Sequence, residues 1–327
     1  MDKRLASLEA WLRDSVGLGA FSIRPASADA SFRRYFRVTT AHTSLIAMDA
    51  PPEKEDVSSF VQVAHRLAAI GLNVPRLIEC DPESGFLLLT DLGERLYLRN
   101  LGESTVERLY GDALGALIVL QAASVSEPDF LPPYDRALLD YEMGLFSQWF
   151  LGRHAAVQLT DEERTGLERV FDSLASSALE QPTVWVHRDY HSRNLMVTER
   201  NNPGILDFQD AVSGPVTYDL VSLLRDCYVS WPRERVEDWA KGYHDLAVQS
   251  GLPVGDDVGL FLEWFDRMGV QRHLKAAGIF ARLNYRDGKP DYLRDIPRTL
   301  GYVHDVAGRY RDLAPLASLI ERSGALG

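Results

Sequence analysis

Two carboxylates and one amide follow one another in the segment that begins at Asp189 and ends at Asp207. Asp189 ends the triplet His187-Arg188-Asp189, Asn194 follows after four intervening residues, and Asp207 comes after a second short apolar run. An acid in such a loop can accept a hydroxyl proton, while an amide and a carboxylate can hold Mg²⁺ against nucleotide phosphates. The residue types and their order therefore indicate phosphoryl transfer, with Asp189 in the first role and Asn194 and Asp207 in the second.

The elements around these residues are predicted to be short strands joined by turns. Residues 184–186 indicate a strand entering the loop, residues 201–204 a turn, and residues 205–208 a returning strand. The H-R-D-x-x-x-x-N spacing is the kinase catalytic-loop pattern, and Asp207 stands where kinases carry D-F-G. The alternative is a buried polar hairpin whose Asp and Asn residues serve only as turn formers.

The composition of the whole chain is that of an ordinary globular protein. Its 327 residues predict two lobes, and the 46% of hydrophobic residues allows a substantial core. The net charge of −12 argues against a general nucleic-acid or anionic-membrane binder. The two cysteines, Cys80 and Cys227, have no metal-ligand spacing. Residues 1–16 are predicted to form an amphipathic helix and not a signal peptide. We expect a cytoplasmic protein with no obligate protein partner.

The N-terminal part predicts a small antiparallel sheet. Strands are expected at residues 21–24, 32–38 and 44–49, with a small-residue turn at 28–31. A kinase would carry glycines in this turn and a lysine on the third strand, and neither is present. Arg33 and Arg34 could replace the lysine, because a guanidinium binds phosphate through its planar fork, although a salt-bridged surface hairpin is an equal alternative.

Beyond a predicted helix at residues 56–70, the buried strand from residue 86 runs into a turn. In a two-lobed nucleotide enzyme this is the hinge, and the Thr90 carbonyl and Leu92 N–H would read adenine. The C-terminal part is then mostly helical, at residues 106–123, 138–151, 160–179, 233–250, 256–284 and 295–313. Asp219, near the start of a further helix, would serve as an N-cap or as a partner of the catalytic-loop backbone.

The motifs H-R-D-Y-H-S-R-N, L-D-F-Q-D and G-P-x-x-Y-D-L together resemble the aminoglycoside phosphotransferase superfamily, which has the bilobal protein-kinase-like fold. Within this superfamily, three further motifs are similar to those of the anomeric cell-wall sugar kinases: D-A-S-F-R-R-Y-F-R, A-M-D-A-P-P-E and Q-R-H-L-K…G-I-F-A-R-L. The resemblance covers the chain from residue 32 to about residue 300. It implies ATP-dependent phosphorylation of the anomeric hydroxyl of N-acetylmuramate and N-acetylglucosamine in peptidoglycan recycling. The missing strand lysine fits the A-M-D-A-P-P form of this group.

The resemblance also implies roles for individual residues. Asp189 matches the catalytic aspartate, with Arg188 orienting it or binding phosphate, and Asn194 and Asp207 match the Mg²⁺ ligands. The ATP-binding residues would be Thr90, Leu92, Arg33 and Arg34. The residues expected to contact the amino sugar are His191, Arg193, Asp210, Tyr141, Glu142, Arg282 and Arg286. The last two are candidates for the lactyl carboxylate of N-acetylmuramate.

The predicted fold class is α+β. A small N-terminal lobe, residues 1–92, would carry the sheet, and a larger, mainly helical lobe, residues 93–327, would bind the sugar. The first alternative function is another small-molecule kinase, acting on an aminoglycoside, choline or homoserine. The second is an inactive nucleotide-binding scaffold, which the missing lysine and glycines would fit.

Overall fold

The computed structural model describes residues 2–27 and 32–326. Contacts within the chain group it into two compact units, which we call the sheet unit (Met1–Ala113 and Arg193–Asp210) and the helical unit (Leu114–Ser192 and Ala211–Gly327). The sequence places a lobe boundary at residue 92, whereas the contacts attach residues 93–113 and 193–210 to the N-terminal sheet. The lobe boundary at residue 92 stays a prediction.

The sheet unit is built on one antiparallel sheet, as predicted. Its five strands are ordered β1-β2-β3-β5-β4. Their bounds are β1 Ser22–Ser27, β2 Arg34–Thr39, β3 Ser44–Asp49, β4 Leu77–Asp81 and β5 Phe86–Thr90. Strands β2 and β3 pair from Arg34 opposite Asp49 to Thr39 opposite Ser44. The predicted turn at residues 28–31 lies outside the described residues.

The amphipathic helix predicted at the N-terminus covers one face of this sheet. Helix α1 (Lys3–Asp14) begins at Asp2, whose carboxylate accepts the Leu5 N–H. Its apolar side chains Leu8, Trp11 and Leu12 are buried. The sheet residues packed with them are Phe36, Val38, Ala47, Phe86 and Leu88. This cluster is the hydrophobic core between the helix and the sheet.

Helix α2 (Val57–Ala69) packs against the segment that carries Asp207. It begins at Asp56, whose carboxylate accepts the Ser58 N–H. Its Phe60 packs on Phe208, with ring centroids 4.9 Å apart. Burial of this aromatic pair fixes the backbone next to Asp207.

The remaining elements are mostly helices, as the sequence predicts. The helices are α3 Tyr97–Asn100, α4 Val106–Ser124, α5 Arg136–Leu145, α6 Asp161–Leu179, α7 Tyr218–Leu224, α8 Arg233–Gln249, α9 Val258–Asp287, α10 Ile296–Ala307 and α11 Ala314–Arg322. The short strands are β6 Thr183–Val186, β7 Leu195–Met196, β8 Gly204–Ile205 and β9 Val212–Pro215. Strand β6 pairs with β9, and β7 with β8. Helix α6 begins with a capping box, in which the Thr160 hydroxyl accepts the Glu163 N–H and the Glu163 carboxylate accepts the Thr160 N–H.

Helix α9 is the centre of the helical unit. It packs against α5, α6, α7, α8 and α10 and ends at Gly288, whose φ of 67° is left-handed. A Cβ on Gly278 would lie 2.4 Å from the Leu145 carbonyl carbon, so only glycine permits this approach. The chain is helical over the predicted range 138–151, but the α-helix ends at Leu145 and the chain continues as a π-helix, Phe146–His154. Among the described residues, no helix is both long and apolar enough to span a membrane.

Candidate active site

The backbone of the predicted catalytic loop is held by a buried carboxylate. Strand β6 leads into the loop, and the N–H groups of His187 and Arg188 donate to Asp219 over 2.6 and 3.0 Å. Arg188 has a left-handed φ of 75°, a conformation that costs a non-glycine residue free energy. The Asp189 N–H donates to His187 Nδ1 over 3.3 Å. Asp219 is therefore the backbone partner that the sequence suggested, and His187 braces the loop.

A second carboxylate holds the end of the same loop. Asp226 accepts the Ser192 N–H over 2.9 Å and the Tyr228 N–H over 3.0 Å. Charge-assisted hydrogen bonds of this kind are stronger than neutral ones. Asp219 and Asp226 together fix the path of the loop on both sides of Asp189.

The side chain of Arg188 belongs to a buried ionic cluster. Its Nη2 lies 2.5 Å from Glu142 Oε1, and Lys275 Nζ lies 2.8 Å from the same oxygen. The other oxygen of Glu142 accepts hydrogen bonds from the Tyr134 hydroxyl and from Gln271 Nε2. Burial opposes ionisation of Glu142, but the charges of Lys275 and Arg188 hold its pKa below the usual range. Both oxygens of Glu142 are thus engaged within the protein, with 2% of its side chain exposed, and its contact with the sugar stays a prediction.

Asp189 is surrounded by positive charge. Its side chain is 44% exposed, and Oδ1 lies 4.0 Å from His191 Nε2. The surrounding protein partly desolvates the carboxyl and opposes its ionisation, but Lys275, His191 and Arg272 lower the pKa of Asp189 to about 2. This carboxylate is therefore ionised at neutral pH. The lowered pKa favours folding above the ordinary value of 3.8, and the contribution is lost as the pH falls towards 2.

The sheet unit brings the other two predicted residues together. The β7–β8 hairpin places Asn194 Nδ2 3.5 Å from Asp207 Oδ2, and the Leu206 N–H donates to the Asn194 carbonyl over 2.9 Å. Gln209 Nε2 donates to Asp207 Oδ1 over 2.9 Å. The strand predicted at residues 205–208 ends at Ile205, because Asp207 takes a left-handed φ of 63° that no strand can contain. A strained residue held by its neighbours is common at functional sites.

The pair Asn194 and Asp207 suits a magnesium ion shared with phosphates. Within residues 2–27 and 32–326, no three His, Cys, Asp or Glu side chains are grouped to hold a metal by themselves. Mg²⁺ in nucleotide enzymes takes one or two carboxylates and obtains other oxygen ligands from phosphate and water. A carboxylate beside an amide is a donor set of this type, so the residues present fit the ion.

Arg33 and Arg34 are adjacent in sequence but have different partners. Arg33 Nε lies 3.8 Å from Glu55 Oε2, and its Nη2 lies 3.9 Å from Asp210 Oδ2. Arg34 Nε instead donates to Asp49 over 3.0 Å, and Arg34 also pairs with Asp2. Arg34 is therefore engaged in ion pairs of the sheet unit. Arg33 instead lies near the carboxylates of Glu55 and Asp210.

The predicted hinge residues follow β5. The Thr90 N–H donates to the Arg76 carbonyl over 3.0 Å, and the Thr90 hydroxyl accepts the Arg76 N–H over 2.9 Å. Asp91 turns the chain by accepting the Gly93 N–H over 2.8 Å. The Leu92 N–H makes no hydrogen bond to any part of the chain that the structure describes. It is the kind of backbone donor that adenine recognition requires.

Aromatic rings extend from the catalytic loop through the helical unit. His191 packs on Tyr228 with centroids 5.5 Å apart, Tyr228 lies 6.3 Å from Phe280, and Phe280 lies 5.7 Å from Tyr292. Sequence reasoning named His191 alone among them as a site residue, because aromatic residues on separate elements give no local signal of contact.

The other predicted sugar contacts have different partners within their own units. Arg282 Nη1 donates to the exposed Tyr141 hydroxyl over 3.3 Å, whereas Arg286 is paired with its neighbour Asp287. Arg193 is partly buried in the sheet unit, and Asp210 is exposed near Arg33.

Two cations near the loop belong to the Q-R-H-L-K motif of the sequence but were not predicted individually as site residues. Lys275 and Arg272 both add positive charge around Asp189. Both are buried side chains of α9, a position at which charged residues are rare unless they have a specific partner or task. Charged residues at otherwise apolar positions of a long helix are the sequence signal that would identify them as site residues.

A known protein family matches most of the chain. The family model described as "Phosphotransferase enzyme family" matches residues 22–255. A Pseudomonas aeruginosa protein named N-acetylmuramate/N-acetylglucosamine kinase is 47% identical, with 98% of this chain and 96% of that protein covered. A Neisseria meningitidis protein of the same name is 44% identical, with 97% and 95% covered.

Solved structures share the fold at low sequence identity. Choline kinase LicA from Streptococcus pneumoniae has a TM-score of 0.63 and 11% identity, with 93% of this chain and 100% of that chain covered. The ADP-bound aminoglycoside phosphotransferase APH(2'')-Ib has a TM-score of 0.60 and 16% identity, with 94% and 99% covered. These likenesses confirm the predicted kinase-like α+β fold.

Proposed function

Because this chain belongs to the phosphotransferase enzyme family, we propose that it is an ATP-dependent kinase of N-acetylmuramate and N-acetylglucosamine. It transfers the γ-phosphoryl group to the anomeric hydroxyl and forms the sugar 1-phosphate, a reaction of peptidoglycan recycling. The observation that carries the proposal is the 47% identity with a kinase of that name over 98% of the chain. The cytoplasmic location expected from the sequence stays a prediction.

Asp189 accepts the proton of the anomeric hydroxyl. The transition state of phosphoryl transfer is loose, so the proton leaves late and a weak base suffices. An anomeric hydroxyl is also more acidic than an ordinary sugar hydroxyl. With a pKa of about 2, Asp189 acts mainly by orienting the hydroxyl, and positioning supplies much of the acceleration. The positive charges of Lys275 and Arg272, joined by that of His191 when its ring is protonated, keep Asp189 ionised.

Asn194 and Asp207 hold Mg²⁺ in this proposal. The ion neutralises charge on the phosphates. Arg33 contributes a phosphate contact in place of the missing strand lysine. In protein kinases that lysine pairs with a helix glutamate, and Arg33 lies 3.8 Å from Glu55, which precedes α2. Arg34 has no such role, since its charge is paired with Asp49 and Asp2.

The proposal is tested by following ADP release with Mg·ATP and a panel of acceptors. The panel contains N-acetylmuramate, N-acetylglucosamine, kanamycin, choline and homoserine. We expect turnover with the two amino sugars, and ³¹P NMR of the product should show phosphate at C1. The proposal would be overturned if neither amino sugar were turned over. Turnover of a cationic acceptor alone would indicate another small-molecule kinase.

Replacing Arg33 with methionine is expected to raise KM for Mg·ATP by about 10- to 100-fold, the loss of one hydrogen-bonded charge contact. KM for the sugar should change little, because the substitution removes a nucleotide contact. Steady-state kinetics with each substrate varied in turn checks this. Arg24→Met is the matched control, since Arg24 is an exposed arginine of β1 paired with Glu94. An unchanged KM for ATP in Arg33→Met would remove Arg33 from the phosphate site.

Replacing Lys275 with glutamine is expected to move the acid limb of the kcat/KM profile to higher pH. Ionised Asp189 is the active form, so activity falls as the pH drops through its pKa. In the unsubstituted enzyme this pKa is about 2, and loss of the Lys275 charge raises it. Glu142→Gln removes a negative charge from the same cluster, so it should not move the limb upwards. Coincident acid limbs in the unsubstituted enzyme and Lys275→Gln would contradict the assigned electrostatics.

A further inference from the structure

Arg272 is a buried cation whose guanidinium is poorly satisfied. Only 6% of the residue is exposed. In the described ranges its one hydrogen bond runs from Nη1 to the Cys227 sulfur over 3.7 Å, and no Asp or Glu oxygen lies within 4.0 Å. Its Nε is buried without an acceptor in the same part of the chain. A guanidinium has five N–H donors, so most of its hydrogen-bonding capacity is unused.

Other buried cations of this region have carboxylate partners. Lys275, on the same helix, is 2.8 Å from Glu142, and Arg225 pairs with Asp266. A buried charge costs several kcal/mol unless it is paired and hydrogen-bonded. Arg272 differs from its neighbours in lacking this compensation, which an anionic ligand would supply.

The carboxylates whose charge acts on Arg272 already have roles. Asp226 accepts the Ser192 and Tyr228 N–H groups, and Asp189 is the proposed base. Burial lowers the pKa of Arg272, but the negative fields of Cys227, Tyr218 and Asp189 outweigh burial and raise it. Arg272 is thus a charged donor close to the loop that carries the base.

We propose that the Arg272 guanidinium binds the carboxylate of the lactyl group of N-acetylmuramate and favours this sugar over N-acetylglucosamine. The inference rests on the proposed function. A planar guanidinium fork matches a carboxylate in bidentate geometry. The relatives' names contain both sugars, and N-acetylmuramate differs from N-acetylglucosamine by the lactyl group that bears this carboxylate. The nucleotide residues proposed above lie in the sheet unit, whereas Arg272 and its neighbours lie in the helical unit.

The test compares kcat/KM for the two sugars in Arg272→Met and Arg272→Lys. We expect Arg272→Met to lower kcat/KM for N-acetylmuramate by about 10- to 100-fold more than for N-acetylglucosamine, with a smaller selective loss in Arg272→Lys. Equal losses for both sugars would overturn the inference and assign Arg272 to the transferred phosphoryl group or to Asp189. Arg282→Met and Arg286→Met are measured in parallel, and a selective loss in either one instead would also overturn it.

The melting temperature separates binding from a structural role. Removal of an uncompensated buried charge should leave the melting temperature of the free protein unchanged or raised, and N-acetylmuramate should no longer stabilise Arg272→Met. A lowered melting temperature with proportionate loss on both sugars would identify a structural arginine and overturn the inference. Arg13→Met, at an exposed arginine of α1, serves as control. If the unsubstituted enzyme turns over neither sugar, the proposed function fails too; if it turns over both without selective loss in the variant, only the subsite fails.

Discussion

Asp189→Asn is expected to lower kcat by about 10²- to 10⁴-fold, the range that a general base contributes. Asparagine keeps the size of the side chain but cannot accept the hydroxyl proton, and it no longer orients the hydroxyl as a charged acceptor. Binding of Mg·ATP should stay close to normal, because the residues proposed to hold it are elsewhere in the chain. Steady-state ADP release measures the first effect and calorimetric titration with Mg·ATP the second.

Asp256→Asn is the matched control for this variant. Asp256 is an exposed aspartate of the helical unit, and its substitution should leave kcat unchanged. Near-normal turnover by Asp189→Asn would remove Asp189 from the base role. A simultaneous loss of nucleotide binding would indicate that the substitution disturbs more than the acceptor chemistry.

Asp207→Asn is expected to abolish most of the stabilisation by Mg·ATP. A ligand at about 100 times its Kd raises the free energy of unfolding by about 2.7 kcal/mol. Loss of a charged metal ligand weakens binding, so the rise in melting temperature with Mg·ATP should largely disappear. Asparagine is the substitution of choice because, at a φ of 63°, it tolerates the left-handed backbone better than alanine does.

The magnesium dependence provides the control for Asp207→Asn. The unsubstituted protein should lose its nucleotide-dependent shift in melting temperature when EDTA replaces Mg²⁺, and the variant should show little shift under either condition. A full shift in the variant with Mg·ATP would contradict the metal role. A lowered melting temperature without ligand would show instead that the carboxylate supports the fold through Gln209.

The sequence predicted what depends on local spacing. Asn194 and Asp207 are joined by one hairpin, so short-range pairing brings them together. The pairing register of β2 and β3 places Arg34 opposite Asp49, and Arg34 therefore forms an ion pair with Asp49. Arg33 precedes β2 and Arg34 is its first residue, and the sequence did not show which of the two arginines would lie opposite Asp49.

The sequence could not predict contacts between distant elements. Glu142 and Lys275 are far apart in the chain, and their ion pair exists because α5 packs against α9. The change from α-helix to π-helix after Leu145 was not predicted, for a related reason. Gly278 of α9 approaches the Leu145 carbonyl, at the residue where α5 gives way to the π-helix. Packing between helices, and not local propensity, sets the backbone at this point.

The hydrogen bonds of Asp219 and Asp226 have a consequence for how the acceptor range of such an enzyme can change. Both carboxylates hold main-chain N–H groups, which every residue except proline possesses. These hydrogen bonds are therefore kept when the side chain at position 191 or 192 is exchanged, whereas a change at position 191 also removes a group that lowers the pKa of Asp189. Directed evolution towards new sugars should therefore vary side chains of the loop and leave the two carboxylates unchanged.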